Sequence, residues 1–281
     1  MTRLSALLSV LAPATALACL IVGVDPSFAQ DMNSARETRP GGVAGYLSTD
    51  KLPDSAALLP PPPPVGSVAL ALDLDVAETD LALRDTPRWN QARMDANLKF
   101  PWAAGDFSCS VGVAITEEDT PRLYNMLRRV MADAGGATSA AKNKYHRARP
   151  FMLDVQPTCT PEDEAALRGN GSYPSGHTSI GWAWALVLAE ASPDQSEAIL
   201  IRGRRFGDSR LVCNVHWESD VIEGRMVGTA TVARLRAEPS FLADLEAGKS
   251  ELAAARAKGL PPQRDCKAEA EALAQTPLQA P

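Results

Sequence analysis

The segment Ser209–Asp220 carries three side chains whose types and spacing could do chemistry together: Arg210, His216 and Asp220. His216 and Asp220 are four positions apart, so on a helix they lie on one face, one turn from each other. A carboxylate in that place can accept the N–H of one imidazole nitrogen and leave the other nitrogen free as a base or nucleophile. Arg210 adds a planar, permanently charged donor group that suits a phosphate. The segment therefore predicts an oriented imidazole beside an anion site.

A second segment, Gly171–Thr178, places a histidine at the expected start of a helix. Pro174 disfavours helix at the residue before it, and Ser175 is a good N-cap. Free N–H groups and the positive end of the helix dipole then predict an anion site at Ser175, Gly176 and His177. Gly176 allows a ligand to approach the backbone closely. Taken alone, such a segment is more often a capped helix with a histidine on the surface.

Four cations fall within the eight residues Lys142–Arg149 of an otherwise acidic chain, and Pro150 ends the helix that carries them. One interpretation is a solvated charge run at a helix C-terminus, where cations are favourable. The functional interpretation places Lys142 on the helix and Arg149 just past its end, with both side chains in one pocket. Three remaining residues then lie behind the pocket or in solvent: Lys144, His146 and Arg147.

These three segments contain all three histidines of the chain, and together they supply the parts for metal-free phosphoryl transfer. Fixed cations and a helix N-terminus hold the phosphoryl oxygens, where charge develops. A neutral imidazole attacks phosphorus, and an acid on the opposite side protonates the leaving alkoxide. The residues alone leave open which histidine is the nucleophile, although the carboxylate four residues after His216 favours that one. We expect no metal and no cofactor.

The three motifs, in this order and at these spacings, resemble the tripartite motif of the type 2 phosphatidic acid phosphatase superfamily. The residues around Tyr173 and Trp217 are similar to those of the bacterial class A nonspecific acid phosphatases. A looser likeness extends from about Leu70 to Leu245. The resemblance implies an all-α, single-domain helical bundle with the active site between central helices.

The resemblance also implies a role for each matching residue. His216 would attack phosphorus and carry a phosphohistidine, Asp220 would orient His216, and His177 would protonate the leaving group and later activate water. The phosphate oxygens would be held by Lys142, Arg149, Ser175, Gly176 and Arg210. The implied reaction is the hydrolysis of phosphomonoesters at acidic pH with release of inorganic phosphate. Because acceptors other than water can resolve a phosphohistidine, phosphotransfer to alcohols or nucleosides is a further expectation.

Four other functions would use some of the same residues. Vanadium-dependent haloperoxidases of this superfamily bind vanadate in the phosphate site, but they are usually longer chains. A lipid phosphatase normally needs transmembrane helices, and no segment after the N-terminal one has the length. A metallophosphatase would use His177, His216 and Asp220 as ligands and leave the cations unexplained. A phosphate-binding protein would keep the anion affinity and show no turnover.

The composition and the N-terminus bound the class of protein. With 45% hydrophobic residues and a formal net charge of −6, the 281-residue chain can build a sizeable core and is unlike a nucleic-acid-binding protein. Arg3, the apolar run Leu4–Val24 and the small residues of Ser27–Ala29 predict a signal peptide over residues 1–29. A membrane anchor is the competing interpretation, and Pro13 disfavours it. We therefore expect a periplasmic or secreted protein with no stable membrane anchor.

The cysteines predict disulfide bonds. Removal of the signal peptide takes Cys19 away and leaves four of the five cysteines; a lipid anchor at Cys19 is disfavoured because Ala16 stands where a large aliphatic residue is usual. An even number in an oxidising compartment predicts two disulfides, and the spacing contains no Cys-x-x-Cys pair typical of zinc sites. Of the three possible connectivities, we favour Cys109–Cys159 and Cys213–Cys266. The second pair would tie the C-terminal tail close to His216.

Helical patterns dominate the mature chain, because alternating β-branched runs are short. The prediction is one helical domain over residues 65–258, preceded by a flexible polar and proline-rich segment at 30–64 and followed by a C-terminal tail at 259–281. Pro60–Pro64 predicts a short polyproline II spacer. Apolar helical faces left over on such a domain favour a homo-oligomer.

Local signals also predict where individual helices begin and how they pack. Cap and proline patterns predict helix starts at Thr86, Thr116 and Ser192. Gly224 and Gly228 follow His216 at intervals of four, which predicts close packing against the helix that begins after Ser175. One helix is predicted between residues 66 and 84, with four apolar residues on its inward face: Val68, Leu72, Val76 and Leu83.

Overall fold

The computed structural model describes residues 37–39, 42–153 and 156–275, so the predicted signal peptide and Cys19 lie outside the described residues. Apart from a short antiparallel hairpin of β1 (Glu37–Arg39) and β2 (Gly42–Val43), the described chain is all-α, as predicted. The α-helices in chain order are α1 Ser55–Leu58, α2 Val68–Asp80, α3 Pro87–Asp95, α4 Ser108–Val111, α5 Pro121–Gly136, α6 Ser139–Tyr145, α7 Pro150–Leu153, α8 Glu164–Arg168, α9 Gly176–Ala191, α10 Ser196–Val212, α11 Glu218–Leu235, α12 Pro239–Ala257 and α13 Cys266–Ala274. Short 3-10 helices span Thr49–Lys51, Leu81–Leu83, Trp102–Phe107, Pro161–Asp163 and Pro193–Gln195.

Helix α9 forms the centre of the bundle. It is apolar on all sides, as expected for a helix surrounded by others, and the five residues predicted for its buried face are all buried: Ile180, Ala183, Trp184, Val187 and Leu188. The indole N–H of Trp184 donates to the carbonyl of Leu127 on α5 at 2.8 Å. The Trp184 ring also meets Phe206 of α10, with 6.1 Å between centroids. Helix α9 therefore fixes the positions of its neighbours α5 and α10.

The close packing predicted for Gly224 and Gly228 is confirmed. A Cβ atom on Gly224 would lie 2.7 Å from the carbonyl oxygen of Ser175, and one on Gly228 would lie 2.6 Å from that of Ser179. Any larger side chain would push α11 away from α9, since these neighbours are backbone atoms. The two glycines therefore hold the segment that carries His216 against the N-terminal end of α9.

Of the three predicted helix starts, the one at Thr86 is confirmed. Thr86 Oγ1 accepts from the N–H of Trp89 at the start of α3. Thr116 and Ser192 mark turns that precede their helices: α5 begins only at Pro121, and a 3-10 turn separates Ser192 from α10. The cap signals at these two positions thus predict a turn correctly and place the helix several residues early.

The inward face of α2 differs from the prediction. Val68 is 88% exposed and Leu72 is 50% exposed, whereas Asp73, Val76 and Asp80 are buried. Apolar periodicity therefore indicated the wrong face at these two positions, because the polar residue Asp73 is drawn inward by hydrogen bonds to the functional site. Helix α2 consequently leaves apolar side chains in solvent.

Asp80 at the end of α2 carries a buried carboxyl group whose two oxygens have no hydrogen-bond partner among the described residues. Burial raises the pKa of Asp80 to about 8, against the opposing effect of the Arg88 guanidinium. Because this pKa is raised relative to the unfolded chain, the contribution of Asp80 to stability is fully present in acid and is lost as the pH rises towards 8.

Asp80→Asn is therefore expected to raise the melting temperature at pH 8 and to change it little at pH 4. Removing a buried charge worth about 2 kcal/mol would correspond to a shift of about 5 °C in a protein of this size. The measurement is thermal unfolding at both pH values, with the exposed neighbour Asp75→Asn as the matched control. Equal shifts at pH 4 and pH 8 would contradict the assignment.

Residues 42–59 pack against the helical bundle, although they belong to the segment 30–64 for which the sequence predicts flexibility. Asp133 of α5 accepts from the backbone N–H groups of Tyr46 and Leu47. The Ser55 hydroxyl accepts from the N–H of Ala141 on α6 at 3.1 Å. This segment therefore supports the helix that carries Lys142.

Two disulfides are present, but the predicted pairing is wrong: Cys109 is bonded to Cys266 and Cys159 to Cys213. The C-terminal residues cross to the beginning of the bundle, where α13 packs against α3, so Cys266 meets Cys109 instead of Cys213. Cys213 still braces the turn before His216, now through Cys159. The predicted C-terminal tail, residues 259–281, includes the helix α13.

All described residues belong to one compact unit. Within the described ranges, none of the helices combines the length and the hydropathy needed to span a bilayer.

Candidate active site

The three segments that the sequence singled out meet at the N-terminal end of α9. The N–H of Ser175 donates to the backbone carbonyl of Asp220 at 2.9 Å, which joins the start of α9 to the start of α11. The N–H of Ser172 donates to the carbonyl of Arg147 at 2.9 Å and joins the same loop to the segment after α6. Backbone hydrogen bonds therefore hold the three segments in register.

His216 and Asp220 form the predicted pair in a different local geometry. His216 Nδ1 lies 3.2 Å from Asp220 Oδ2, and the same oxygen accepts from the N–H of Trp217 at 3.0 Å. The two residues do not share a helix face, because α11 begins only at Glu218 and His216 precedes it. An ionised carboxylate can only accept, so Nδ1 carries the proton and Nε2 keeps its lone pair.

The imidazole of His216 is held in its neutral form. Burial lowers its pKa well below the usual value, and the nearby cations Arg149 and Lys142 lower it further. A neutral ring with one nitrogen bound to a carboxylate and the other unprotonated meets the chemical requirement for a nucleophile.

Arg149 lies directly beside that lone pair. Its Nη1 donates to the carbonyl of Val215 at 2.9 Å and lies 3.1 Å from His216 Nε2. Its Nε donates to the carbonyl of Leu167 at 3.0 Å. Burial lowers the pKa of Arg149 to about 10, so the group stays charged. Neutral carbonyls fix the guanidinium in place and leave its charge available for an anion.

Arg210 is a buried guanidinium with unused donors. Among the described residues, its Nε and Nη1 have no hydrogen-bond partner. Burial, followed by repulsion from Arg149, lowers its pKa to about 10. Leaving charged donors unpaired in the interior is costly, so the arrangement is stable only if a ligand or water supplies acceptors.

Lys142 reaches the same region from α6. Its Nζ donates to the carbonyl of Gly171 at 2.6 Å and to that of Ser172 at 3.3 Å. Burial, followed by the charge of Arg149, lowers the pKa of Lys142 to about 7. The ammonium group is therefore fully charged in acid and begins to lose its proton near neutrality.

The affinity for inorganic phosphate is expected to fall as the pH rises through 7, because Lys142 then loses its charge. Phosphate itself titrates in this range, so the measurement compares the inhibition constant of the wild type with that of Lys142→Arg between pH 5 and pH 8. The loss between these pH values should be about tenfold larger in the wild type, which corresponds to about 1.4 kcal/mol for the charged contact. Identical pH profiles would contradict the role of this pKa.

Arg147 holds Asp220 from behind, a contact that the sequence did not predict. Its Nη1 donates to Asp220 Oδ1 and its Nη2 to Asp73 Oδ2, both at 2.7 Å. Asp73 of α2 also accepts from the N–H of Ser219 at 2.8 Å. Burial raises the pKa of Asp220, and Arg147 is the first group that lowers it again. Arg147 therefore favours the ionised form of Asp220 and orients it towards His216, and Asp73 holds Arg147 in place.

Arg147→Ala is expected to lower kcat about 100-fold, because Asp220 would lose its fixed orientation and bind a proton more readily. Arg147→Lys should recover part of the activity, since it restores the charge without the two-pronged hydrogen bonds. The pH profile decides the role: in Arg147→Ala the acid limb should move to higher pH, in the direction of a raised Asp220 pKa. A lower kcat with an unmoved acid limb would indicate a structural role only.

The N-terminus of α9 supplies the uncharged donors. Ser175 is the N-cap, as predicted, and its Oγ accepts from the N–H and the hydroxyl of Thr178. The first N–H groups of a helix have no intrahelical acceptor, so those of Gly176 and His177 remain for a ligand. A Cβ atom on Gly176 would lie 3.8 Å from Lys142 Cε, an ordinary contact, so packing alone does not require glycine there.

His177 lies at the entrance to the site. Its Nε2 is 3.0 Å from the carbonyl of Ala96, so Nε2 carries a proton and Nδ1 keeps the lone pair. Burial, followed by the charge of Arg210, lowers its pKa well below the usual value. A bound anion would offset Arg210 and raise this pKa, so protonation of His177 is coupled to ligand binding.

The charges around His216 do not balance. Of the five cations in the three segments, Lys144 is exposed, and the other four lie at or directly behind the site: Lys142, Arg147, Arg149 and Arg210. The carboxylates bonded to them are Asp73 and Asp220. When Lys142 is protonated, two positive charges remain uncompensated. A phosphomonoester dianion, with a charge of −2, would neutralise them. The arrangement therefore fits an anion that carries two negative charges.

A cleft of about 790 Å³ leads outward from His177 and Arg210. Its size is that of a pocket for a small organic molecule, so it can hold more than a phosphate group. Within the described part of the chain, no group of three or more His, Cys, Asp or Glu side chains is placed to hold a metal ion.

Comparison with known proteins agrees with this chemistry. The family model described as the PAP2 superfamily matches residues 126–238, which include all three segments. The non-specific acid phosphatase of Providencia stuartii is 46% identical over 209 residues, which are 74% of this chain and 84% of that protein. The non-specific acid phosphatase of Salmonella typhimurium is 42% identical over 219 residues, 78% of this chain and 88% of that protein. The acid phosphatase of Zymomonas mobilis is 38% identical over 220 residues, 78% of this chain and 83% of that protein.

Proposed function

The chain belongs to the PAP2 superfamily and is a class A acid phosphatase, and from this premise we propose that it hydrolyses phosphate monoesters through a phosphohistidine on His216. The excess of two positive charges around the neutral imidazole of His216 carries the proposal. A dianionic phosphoryl group placed there would satisfy the unused donors of Arg210 and bring phosphorus close to His216 Nε2.

In the first step, His216 Nε2 attacks phosphorus and forms the N–P bond while the bond from phosphorus to the leaving oxygen breaks. Asp220 accepts from Nδ1–H throughout and stabilises the positive charge that develops on the ring. His177, protonated in the presence of the bound dianion, gives its proton to the leaving oxygen. The products of this step are a free alcohol or phenol and a phosphohistidine.

In the second step, water attacks the phosphohistidine. Neutral His177 takes a proton from the water as the new O–P bond forms, and the N–P bond to His216 breaks. Inorganic phosphate leaves, and both histidines return to their starting states. Because the same residue first gives and then takes the proton, the two steps are chemically symmetrical.

The remaining residues act by holding oxygen atoms. Lys142, Arg149 and Arg210 neutralise the charge on the phosphoryl oxygens, and the N–H of Gly176 and the Ser175 hydroxyl donate further hydrogen bonds. Carbonyls fix Lys142 and Arg149, and the helix fixes Ser175 and Gly176, before substrate arrives, so these groups need little reorganisation during the reaction.

Phosphotransfer is part of the same proposal. An alcohol or nucleoside that enters the cleft can attack the phosphohistidine in place of water. The alcohol or phenol released in the first step has by then left the cleft, so the space is free. The ratio of new phosphate ester to inorganic phosphate, measured by phosphorus NMR at increasing acceptor concentration, tests this. A ratio of zero at every acceptor concentration would rule phosphotransfer out.

We also propose that the protein is exported and acts in the periplasm or outside the cell. The apolar N-terminal run supports this, as do the two disulfides, since such bonds persist in oxidising compartments. The test is N-terminal sequencing of protein from fractionated cells: a mature chain that begins at Gln30 is expected. An intact N-terminus in the cytoplasmic fraction would contradict export.

A homo-oligomer remains a proposal as well. Val68 and Leu72 of α2 are exposed, at 88% and 50%, and Val65 just before the helix is 95% exposed, so this region presents apolar side chains that a second copy could cover. Light scattering after gel filtration measures the mass. Val68→Glu should shift an oligomer towards monomer, and a monomeric wild type would refute the proposal.

The activity itself is tested with a panel of phosphomonoesters, with and without EDTA and with added vanadate. We expect phosphate release that EDTA does not reduce and vanadate inhibits, because vanadate occupies the same anion site. Halide oxidation in the presence of vanadate, without phosphate release, would favour the haloperoxidase alternative. Loss of activity in EDTA that zinc restores would favour a metallophosphatase.

A further inference from the structure

The cleft outside the phosphate site has an apolar wall. The cleft is lined by the apolar residues Met94, Leu98, Trp102, Ala166 and Leu167 and also by the charged residues Arg93, Lys99, Glu162 and Asp163. This wall begins at His177, the residue proposed to protonate the leaving group. A group esterified to a phosphate beside His177 would extend along this wall, which would then favour some leaving groups over others.

Trp102 is held in place although it lies at the surface. Its side chain is 41% exposed, and its Nε1–H donates to the carbonyl of Met94 at 3.3 Å. The guanidinium carbon of Arg264 lies 3.7 Å from the ring centroid, so Arg264 covers one face of the indole. A solvent-exposed tryptophan would otherwise rotate between side-chain conformations; here one face is covered and the ring also lines the cleft.

Arg264 is itself fixed by the backbone and by a buried carboxylate. Its Nη2 donates to the carbonyl of Trp102 and to Asp106 Oδ1, both at 2.9 Å. A Cβ atom on Gly105 would lie 3.1 Å from Arg264 Nε, so the glycine makes room for the guanidinium. Two residues later, Cys266 is bonded to Cys109. The disulfide thus anchors the C-terminal segment covalently two residues after the residue that covers Trp102.

We propose that Trp102 is a binding surface for the aromatic ring of a leaving group, and that the C-terminal segment from Gln263 to Cys266 holds it in that position. The inference rests on the proposed phosphomonoesterase function and names its preferred substrates as aromatic phosphate esters. Stacking on an indole is available to any flat ring and is independent of hydrogen-bonding groups. Trp102 then contributes to binding, and the phosphoryl transfer at His216 is unaffected.

The test compares an aromatic ester, phenyl phosphate, with an aliphatic one, glycerol 2-phosphate. In Trp102→Ala we expect KM for phenyl phosphate to rise about fivefold to tenfold, while kcat and both constants for glycerol 2-phosphate change less than twofold. Trp102→Phe, which keeps a flat ring, should stay close to the wild type. Equal changes for the two esters, or no change for either, would overturn the binding role.

The second part of the inference is tested by two variants of the C-terminal segment. Arg264→Ala and the double variant Cys109→Ala with Cys266→Ala should each raise KM for phenyl phosphate about twofold to threefold and leave glycerol 2-phosphate unchanged. Thermal unfolding identifies variants that have merely lost stability. Unchanged KM in both variants, beside a raised KM in Trp102→Ala, would overturn the positioning role alone. A wild type that hydrolyses neither ester would instead contradict the proposed function.

Discussion

His216→Asn is expected to lower kcat by about 10⁵-fold, because removal of a covalent nucleophile leaves only the positioning and charge stabilisation of the site. Asparagine is smaller than histidine and uncharged, so the substitution should not displace Arg149 or Arg210. The positive charge that attracts the anion therefore remains. Inorganic phosphate should therefore still bind, with a dissociation constant within about threefold of the wild type. Stopped-flow or steady-state release of p-nitrophenol measures the first quantity, and isothermal titration measures the second.

His146→Asn is the matched control for this variant. His146 lies in the segment Lys142–Arg149 but is exposed. It adopts a left-handed backbone conformation with φ of 44°, which asparagine tolerates well. The same substitution at this position should leave kcat unchanged within about twofold. Residual turnover above one hundredth of the wild-type rate in His216→Asn would refute the assignment of His216 as the nucleophile. Loss of phosphate binding in this variant would refute the claim that the cations bind phosphate independently of His216.

His177→Asn is expected to lower kcat by about 10³-fold, since it removes the proton donor of the first step and the base of the second. The loss should be larger for phenyl phosphate than for p-nitrophenyl phosphate, because nitrophenolate is the better leaving group and needs a proton less. With p-nitrophenyl phosphate, hydrolysis of the intermediate then becomes limiting, and a burst of nitrophenol should precede slow turnover. Equal losses for both esters would contradict the acid role.

The pH dependence of this variant tests whether turnover needs protonated His177. Burial and Arg210 lower the pKa of His177, so its protonated form is lost at a lower pH than in a free imidazole, and the activity of the wild type should decline as the pH rises through that range. His177→Asn has no imidazole at this position, so the fall in activity that comes from deprotonation of His177 should be absent in this variant. The part that Lys142 contributes through its pKa of about 7 should remain.

The sequence predicted those parts of the site that depend on neighbouring residues. Ser175 caps α9 because Pro174 and Gly176 flank it, and Gly224 and Gly228 pack on α9 because their spacing of four repeats along one helix face. The pairing of His216 with Asp220 was also predicted, although the helix was expected to include His216 and instead begins two residues later. A carboxylate in the first turn can reach back to His216, so the contact survives the different geometry.

Contacts between distant residues were the ones that local reasoning missed. Asp73 meets Arg147 across 74 positions and Ser219 across 146, and nothing around Asp73 in the sequence distinguishes it from the other acidic residues of α2. Arg147 had one available signal, its place inside the Lys142–Arg149 motif. The disulfide pairing failed for the same reason, because it depends on where α13 packs and not on the spacing of cysteines.

The most direct test of the account is to capture the intermediate on His216. The enzyme is mixed with a ³²P-labelled aryl phosphate, quenched in alkaline detergent within milliseconds and digested for peptide mapping. We predict one labelled peptide that contains His216, with label that alkali preserves and mild acid releases, and no label in His216→Asn. Label that survives acid, that maps to another residue or that persists in His216→Asn would contradict the phosphohistidine mechanism.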